Sequence, residues 1–362
     1  MDDLTIIGGG FSAFLAKLLL GDKANILTSA APNNLEPYQL KRRKVLEVNK
    51  FFTNKGYSTT RLKPSFKNLR LHDRLVHGGN SNIWGGMIDA KKLPKSITRA
   101  LNGCGVSLQE LSLKKTGTVS SNLGLAQLLD SSGKILDVSH YLNDSNNNFL
   151  ESFFVEEDRI GLRIINADDE NSLKTIYTKN LILCVGVVQT IDLLYRSGFL
   201  KDGDKINLSE FGHKRSLKLT LHPEIFKAKN DEITVRYDTM RAACHFLGIQ
   251  KRPWISNISQ YIPLFVDQKF TLANSKYHLK IMNGTLCELQ SNAINNGLNS
   301  PAYGGSIHYC DMSINNHNAN KFINNISPRL TGIGMAFTAQ AIPGPISNDI
   351  CLDALSKINK LR

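Results

Sequence analysis

Apolar residues along this chain fall into two kinds of run. Leu4-Thr5-Ile6-Ile7 and Leu181-Ile182-Leu183-Cys184-Val185-Gly186 are short and unbroken, as expected of strands buried on both faces of a parallel sheet. The first leads into small residues and then the apolar stretch Phe14 to Leu20, which predicts a helix; the second leads into Val187 to Leu194 and then Ser197-Gly198. Ala24 to Thr28 predicts a second strand after the first helix. Phe153 to Val155 and Ile160 to Ile164 alternate around a break at Glu156-Glu157-Asp158, the pattern of a two-faced antiparallel ribbon. From about Lys205 to Asn299 short strands recur: Ser216 to Leu221, Glu232 to Tyr237, Ala243 to Ile249, Phe270 to Ala273 and Tyr277 to Met282. Turns and charges separate them, as in a mainly antiparallel sheet. Residues 32–75 are polar, basic and poorly periodic, which predicts a long surface excursion. Residues 91–148 give a weak pattern around Gly117 and Gly124, with a polar turn from Asn143 to Asn148.

The first strand runs directly into Gly8-Gly9-Gly10-Phe11-Ser12-Ala13, a G-x-G-x-x-A turn with a strand before it and a helix after it. In a dinucleotide-binding βαβ unit Gly8 permits the tight turn, Gly10 lets backbone approach a pyrophosphate, and Ala13 lets the helix lie close on the strand. The start of that helix directs N–H groups and about half a positive charge toward whatever lies over the glycines. An acidic residue that would hold the adenosine ribose is missing from the end of the second strand, where Thr28 and Ser29 stand; Glu36 lies at the right spacing but beyond Pro32.

Composition narrows the class. With 362 residues, 41% hydrophobic and 21% charged, the chain can bury a large core, and no apolar run approaches the ~20 residues of a membrane span. Absence of a basic, apolar leader ahead of the first strand places the protein in the cytoplasm as an expectation. Six cysteines are scattered without a C-x-x-C pair, so neither a disulfide framework nor a metal site is expected. The net charge of +13, clustered at Lys41-Arg42-Arg43-Lys44 and recurring to Arg74, reads as a solvated surface first. A small-molecule substrate that is anionic or carried on an acidic partner is the other reading of that charge. No specific nucleic acid is expected.

A second glycine-rich stretch, His77-Gly78-Gly79-Asn80-Ser81-Asn82-Ile83-Trp84-Gly85-Gly86, describes backbone that passes close to something flat or charged. Together with Gly8 to Ala13, it resembles the flavin-binding signatures of the glucose-methanol-choline (GMC) oxidoreductase family. Leu181 to Gly198 is similar in order and spacing to that family's later flavin-domain segment. Tyr303 to Met312 resembles its catalytic histidine stretch loosely, because Gly304-Gly305-Ser306 precedes His308 instead of following it. Phe337 to Cys351 looks like its strand, proline turn and helix start, with Asp349 where proline is customary.

The resemblance implies noncovalent FAD, held by Gly8, Gly10, Phe11, Ser12, Ala13, Gly78, Gly79, Asn80, Asn82, Trp84, Gly85, Gly186 and Thr338. It implies hydride transfer from a CH–OH substrate to flavin N5, with His308 as base, Asn348 as second active-site residue and His317 as rival base. The expected fold is α/β: a discontinuous Rossmann-like FAD-binding domain (1–90, 149–204 and 300–362), a connecting segment (91–148) and an inserted, mainly antiparallel α+β substrate domain (205–299). An oxidase and a dehydrogenase are equally compatible. The competing classes are a non-oxidative flavin enzyme and a basic binding or assembly protein on a flavoprotein fold with degenerate chemistry. Fold alone does not choose between them.

Overall fold

The computed structural model describes residues 2–27, 62–65, 86–111, 118–142, 148–166, 169–210, 213–221, 232–240, 243, 264–272, 275–292, 309–339 and 345–361. These residues form four sheets. The first holds β1 (Asp2–Ile7), β2 (Asn25–Leu27), β8 (Asn148–Val155), β9 (Ile160–Asn166), β10 (Asp169–Leu183) and β19 (Leu330–Gly332). Strands β2, β1, β10 and β19 are parallel neighbours, with Leu27, Ile7, Leu183 and Gly332 in one register row. As the alternating pattern predicts, β8 and β9 form an antiparallel ribbon. It extends the sheet because β10 is longer than its apolar run: its first half pairs with β9 before its last residues enter the parallel core.

Each face of that core meets a different layer. Ile6, Ile182 and Cys184 pack with helices α1 (Phe11–Leu20), α2 (Lys95–Gly103) and α5 (Ile346–Leu361). Ile7, Leu181 and Leu183 face the opposite way, onto α3 (Val187–Arg196), α4 (Ala319–Ile326) and the second sheet. Alternate residues therefore feed two cores, which is why the run at 181–183 shows no polar face. Ile6, Ile7, Leu181, Ile182 and Leu183, at 0% exposure, each contribute about 1.5–3 kcal/mol.

In the second sheet the order is β18 (His317–Asn318), β17 (Tyr309–Ile314), β11 (Lys205–Glu210), β15 (Ser275–Met282), β16 (Thr285–Asn292) and β3 (Lys63–Ser65). The third comprises β12 (His213–Thr220), β14 (Phe265–Leu272), β13 (Ile233–Asp238) and β6 (Thr118–Ser121). A small fourth sheet joins β4 (Met87–Asp89), β7 (Leu125–Leu129) and β5 (Ser107–Glu110). All described strands between 205 and 292 pair antiparallel with one another, as expected. The sheets nevertheless span the sequence segments. Tyr309–Ile314 pairs with Lys205–Glu210, and Thr118–Ser121 pairs with Ile233–Asp238. Most of the strand expected at Ala243 to Ile249 lies outside the described residues.

One buried network ties Leu62 to the core. Asp192, fully buried in α3, accepts the Leu62 N–H at 3.0 Å and Arg196 Nε at 2.8 Å. Arg196 also donates to the carbonyls of Leu150 and Glu151, tying α3 to β8. Replacing one partner of such a pair leaves an uncompensated charge in the interior. Arg196→Met is therefore expected to cost about 3–5 kcal/mol, read as a lowered denaturant midpoint with an unchanged m-value.

Candidate functional site

Three segments leave the carboxyl edge of the parallel sheet side by side. The row after Leu27, Ile7, Leu183 and Gly332 continues the ladder: Gly8 N–H donates to Leu27 O at 3.0 Å, Cys184 N–H to Ile7 O at 2.7 Å, and Ile333 N–H to Leu183 O at 3.0 Å. Beyond it, Gly8 to Gly10 enters α1, Cys184 to Gly186 enters α3, and Gly332 to Gly334 enters a 3-10 turn at Met335–Phe337. This edge is where open α/β sheets bind ligands. Gly8 has φ +140°, and a Cβ there would stand 2.4 Å from the Cys184 carbonyl oxygen. Gly334 has φ +112°, and its Cβ would meet Ser12 Oγ at 2.5 Å. The first and third turns are thus in contact through glycine.

Both helices begin without a side-chain cap. Gly10 is the N-cap of α1 and Gly186 that of α3, and neither helix has an acidic residue in its first turn. Their positive ends are left for an anion to complement. Phe11 and Ala13 are buried against the helical layer, and Ser12 is half-buried beside Gly334.

Behind the third turn lies an ionic hub on α5. Asp353 accepts Thr338 Oγ1 at 3.0 Å, Lys357 Nζ at 2.9 Å and the Gly334 N–H. Lys357 also donates to Gly332 O at 2.6 Å. Burial raises the Asp353 carboxyl above the usual carboxylate range and lowers Lys357 below the usual ammonium range, while their mutual attraction opposes both shifts. Burial also pushes up the neighbouring Cys184 thiol, which marks it as a packing residue and not a nucleophile.

The structure brings Gly8, Gly10, Phe11, Ser12, Ala13, Gly186 and Thr338 to one edge of the sheet. Thr338 arrives by an unexpected route: its hydroxyl is bonded to Asp353, and its carbonyl accepts the Asp311 N–H at 3.1 Å. Asn348 is buried, and its amide brackets the backbone of Asp89, accepting from Asp89 N at 2.8 Å and donating to Asp89 O at 2.9 Å. That bracket ties α5 to β4. The helix starts at Ile346, so Asn348 sits inside its first turn and not ahead of it; Pro345, suited to a helix boundary, immediately precedes the start. His317 is exposed on a tight hairpin. His278 is half-buried, with Nδ1 2.6 Å from Asn207 Oδ1. Gly78, Gly79, Asn80, Asn82, Trp84, Gly85, Glu36 and His308 lie outside the described residues. Sequence reasoning missed Gly332 and Gly334, although Leu330-Thr331-Gly332-Ile333-Gly334 repeats the short-strand-into-glycine pattern of the N-terminus.

Among solved structures, pyridoxine 4-oxidase from Mesorbium loti matches with a TM-score of 0.52 at 10% identity, covering 99% of each chain. The two chains share a fold. Tetracycline destructase Tet(51) matches at a TM-score of 0.34 and 10% identity, over 100% of this chain and 82% of that one. The p-nitrophenol 4-monooxygenase PnpA from Pseudomonas putida DLL-E4 does so at 0.34 and 10%, over 99% and 79%. No protein-family model and no curated protein matches the sequence.

Removing the cation of the hub tests its energetics. Lys357→Met should destabilise the fold by about 3–5 kcal/mol at neutral pH, because Asp353 is left buried without its counter-charge. A carboxyl whose folded pKa lies above its unfolded value contributes stability that is full below the unfolded value and lost as pH rises through the folded one. The variant should therefore regain stability as pH falls from neutral toward 4, measured by denaturant unfolding at stepped pH.

Proposed function

We propose that this chain is an FAD-dependent oxidoreductase acting on an alcohol-type substrate. The observation that carries the reading is the edge where three glycine-bearing turns meet, with two helix starts that have neither caps nor acidic residues. A diphosphate fits it. A Cβ at Gly8 would collide with the adjoining backbone, and the two N-termini present positive ends with nothing acidic in their first turns to oppose a diphosphate. Preference for FAD over a nicotinamide rests on the resemblance of Gly78 to Gly86 and of the stretch from Leu181 to flavoprotein segments. The fold shared with pyridoxine 4-oxidase supports it.

Bound there, FAD would supply the two-electron redox chemistry. The chain's own residues have three tasks. Gly8 to Ala13 hold the diphosphate against the start of α1. Asp353 and Lys357 fix the Gly332–Gly334 turn, and through Thr338 they fix β17. His308, which immediately precedes Tyr309 in β17, takes the hydroxyl proton of the substrate. Imidazole suits that exchange near neutral pH. Asn348, bracketed on Asp89, positions α5 beneath the site.

Purified protein should be yellow with a flavin spectrum that bleaches under anaerobic substrate, whereas a colourless protein would refute the reading. Gly10→Val should emerge without flavin, because a β-branched side chain occupies the space of the pyrophosphate. Full flavin occupancy in that variant would count against the placement. His308→Ala should retain its colour and lose about 10²–10⁴-fold in the rate of anaerobic bleaching, followed by rapid mixing. An unchanged rate there with a collapsed one in His317→Ala would move the role to His317.

A further inference from the structure

A side-chain amide withdrawn from water needs partners for both its oxygen and its nitrogen. Asn348 finds them on the backbone of Asp89. Asn122 donates to Glu232 O at 2.7 Å and accepts the Thr234 N–H at 2.9 Å. Gln189 breaks the pattern. It is 5% exposed, yet its Oε1 has no hydrogen-bond partner among the described residues.

Its place in the fold gives that oxygen a direction. Gln189 is the third residue of α3, after the N-cap Gly186. A glutamine there can return its oxygen to the N-cap N–H and close the helix end, but this one does not. Helical side chains lean toward the N-terminus, so the amide lies over the uncapped first turn. Leu193, one turn further along the same face of α3, belongs to the core that holds Ala336 and Phe337 of the 3-10 turn. Gln189 continues that face toward the carboxyl edge of the sheet. There β1 and β10 are neighbours, but α1 packs on one face of the sheet and α3 on the other, so a crevice opens between the two helix starts. The open helix end and the orphaned oxygen are separate observations that point into the same crevice.

We propose that Gln189 binds the dinucleotide by accepting a hydroxyl of the sugar chain that flanks its diphosphate. The inference rests on the flavin reading above and adds a contact from the α3 side. The diphosphate brings only acceptors and cannot satisfy Oε1, whereas the ribose and ribityl hydroxyls on either side of it can donate. The residue type follows from the same neighbourhood. A carboxylate at position 189 would suit the bare helix dipole but would repel a diphosphate drawn to the same end. An amide accepts the hydroxyl without adding charge, in keeping with a first turn that holds no acidic residue.

Denaturant unfolding of the full chain at stepped FAD concentrations tests this without needing turnover. The midpoint extrapolated to zero FAD reports the fold, and its rise with added FAD reports the affinity. In Gln189→Leu the rise should need about 5–10-fold more FAD. The zero-FAD midpoint should stay at or above that of wild type, because a buried acceptor without a partner has been removed. Gln189→Met, similar in length and also without the acceptor, should behave alike and takes the place of the leucine variant if that one does not fold. ADP as a second probe identifies the hydroxyl: a matching loss for ADP assigns it to the ribose, and a loss confined to FAD assigns it to the ribityl chain. An FAD dependence unchanged in both variants, or a zero-FAD midpoint lowered in both, overturns the proposal. A wild type whose midpoint ignores FAD but rises with NAD, with that rise weakened in the variants, would refute the flavin reading and leave this site standing. Wild type and variants that respond to FAD alike would do the reverse, and a wild type that responds to neither dinucleotide would overturn both.

Discussion

Backbone crowding at the end of the parallel sheet is the constraint from which the rest follows. Gly8 lies between the Leu27 carbonyl it donates to and the Cys184 carbonyl it nearly touches. Only a residue without a side chain lets β1, β2 and β10 end in step at that spacing. Because they end together, α1, α3 and the 3-10 turn start at one level, and their polar ends can act on one ligand. A looser packing would still fold a βαβ unit. It would not align three turns.

Asp353 and Lys357 serve that alignment more than they serve stability. Withdrawing both charges from water costs several kcal/mol each, and a well-packed apolar pair of similar volume would do about as well energetically. What an apolar pair could not supply is a donor for the Gly332 carbonyl and an acceptor for the Gly334 N–H and the Thr338 hydroxyl. These bonds set the height of the third turn relative to Ser12, and through Thr338 they set the position of β17.

Legibility in the sequence follows the range of the interactions. The strand at Leu4 to Ile7, the glycine turn, the helix after it and the buried run from Leu181 are local patterns, and each is found in its expected place. The ribbon at 148–166 shows its alternation openly. The first half of β10 was hidden, because Asp169 to Asn180 is polar and its strand character comes from pairing with β9. Asp353 and Lys357 gave no signal either. They pair with each other four positions apart, an ordinary spacing on any helix surface, and what makes them a hub is contact with Thr338 and Gly332, 15 and 25 positions away. Thr338 and Asn348 were found by resemblance alone, and the structure gives their side chains bonding partners that resemblance did not supply.

The bond between Asn348 and Asp89 spans 259 positions, and α5 packs on α1 across an even longer interval. The ribosome makes α1 long before the helix that covers it. Until residues 346–361 have been made, the apolar side of Phe11, Leu15 and Leu19 has no α5 to lie against, and β1 waits for β10 as its inner neighbour. The βαβ unit that looks most self-sufficient in the sequence is thus completed only after residues 346–361 have been made. Until then its glycine turn is assembled from one side only, a period in which chaperones would have apolar surface to hold.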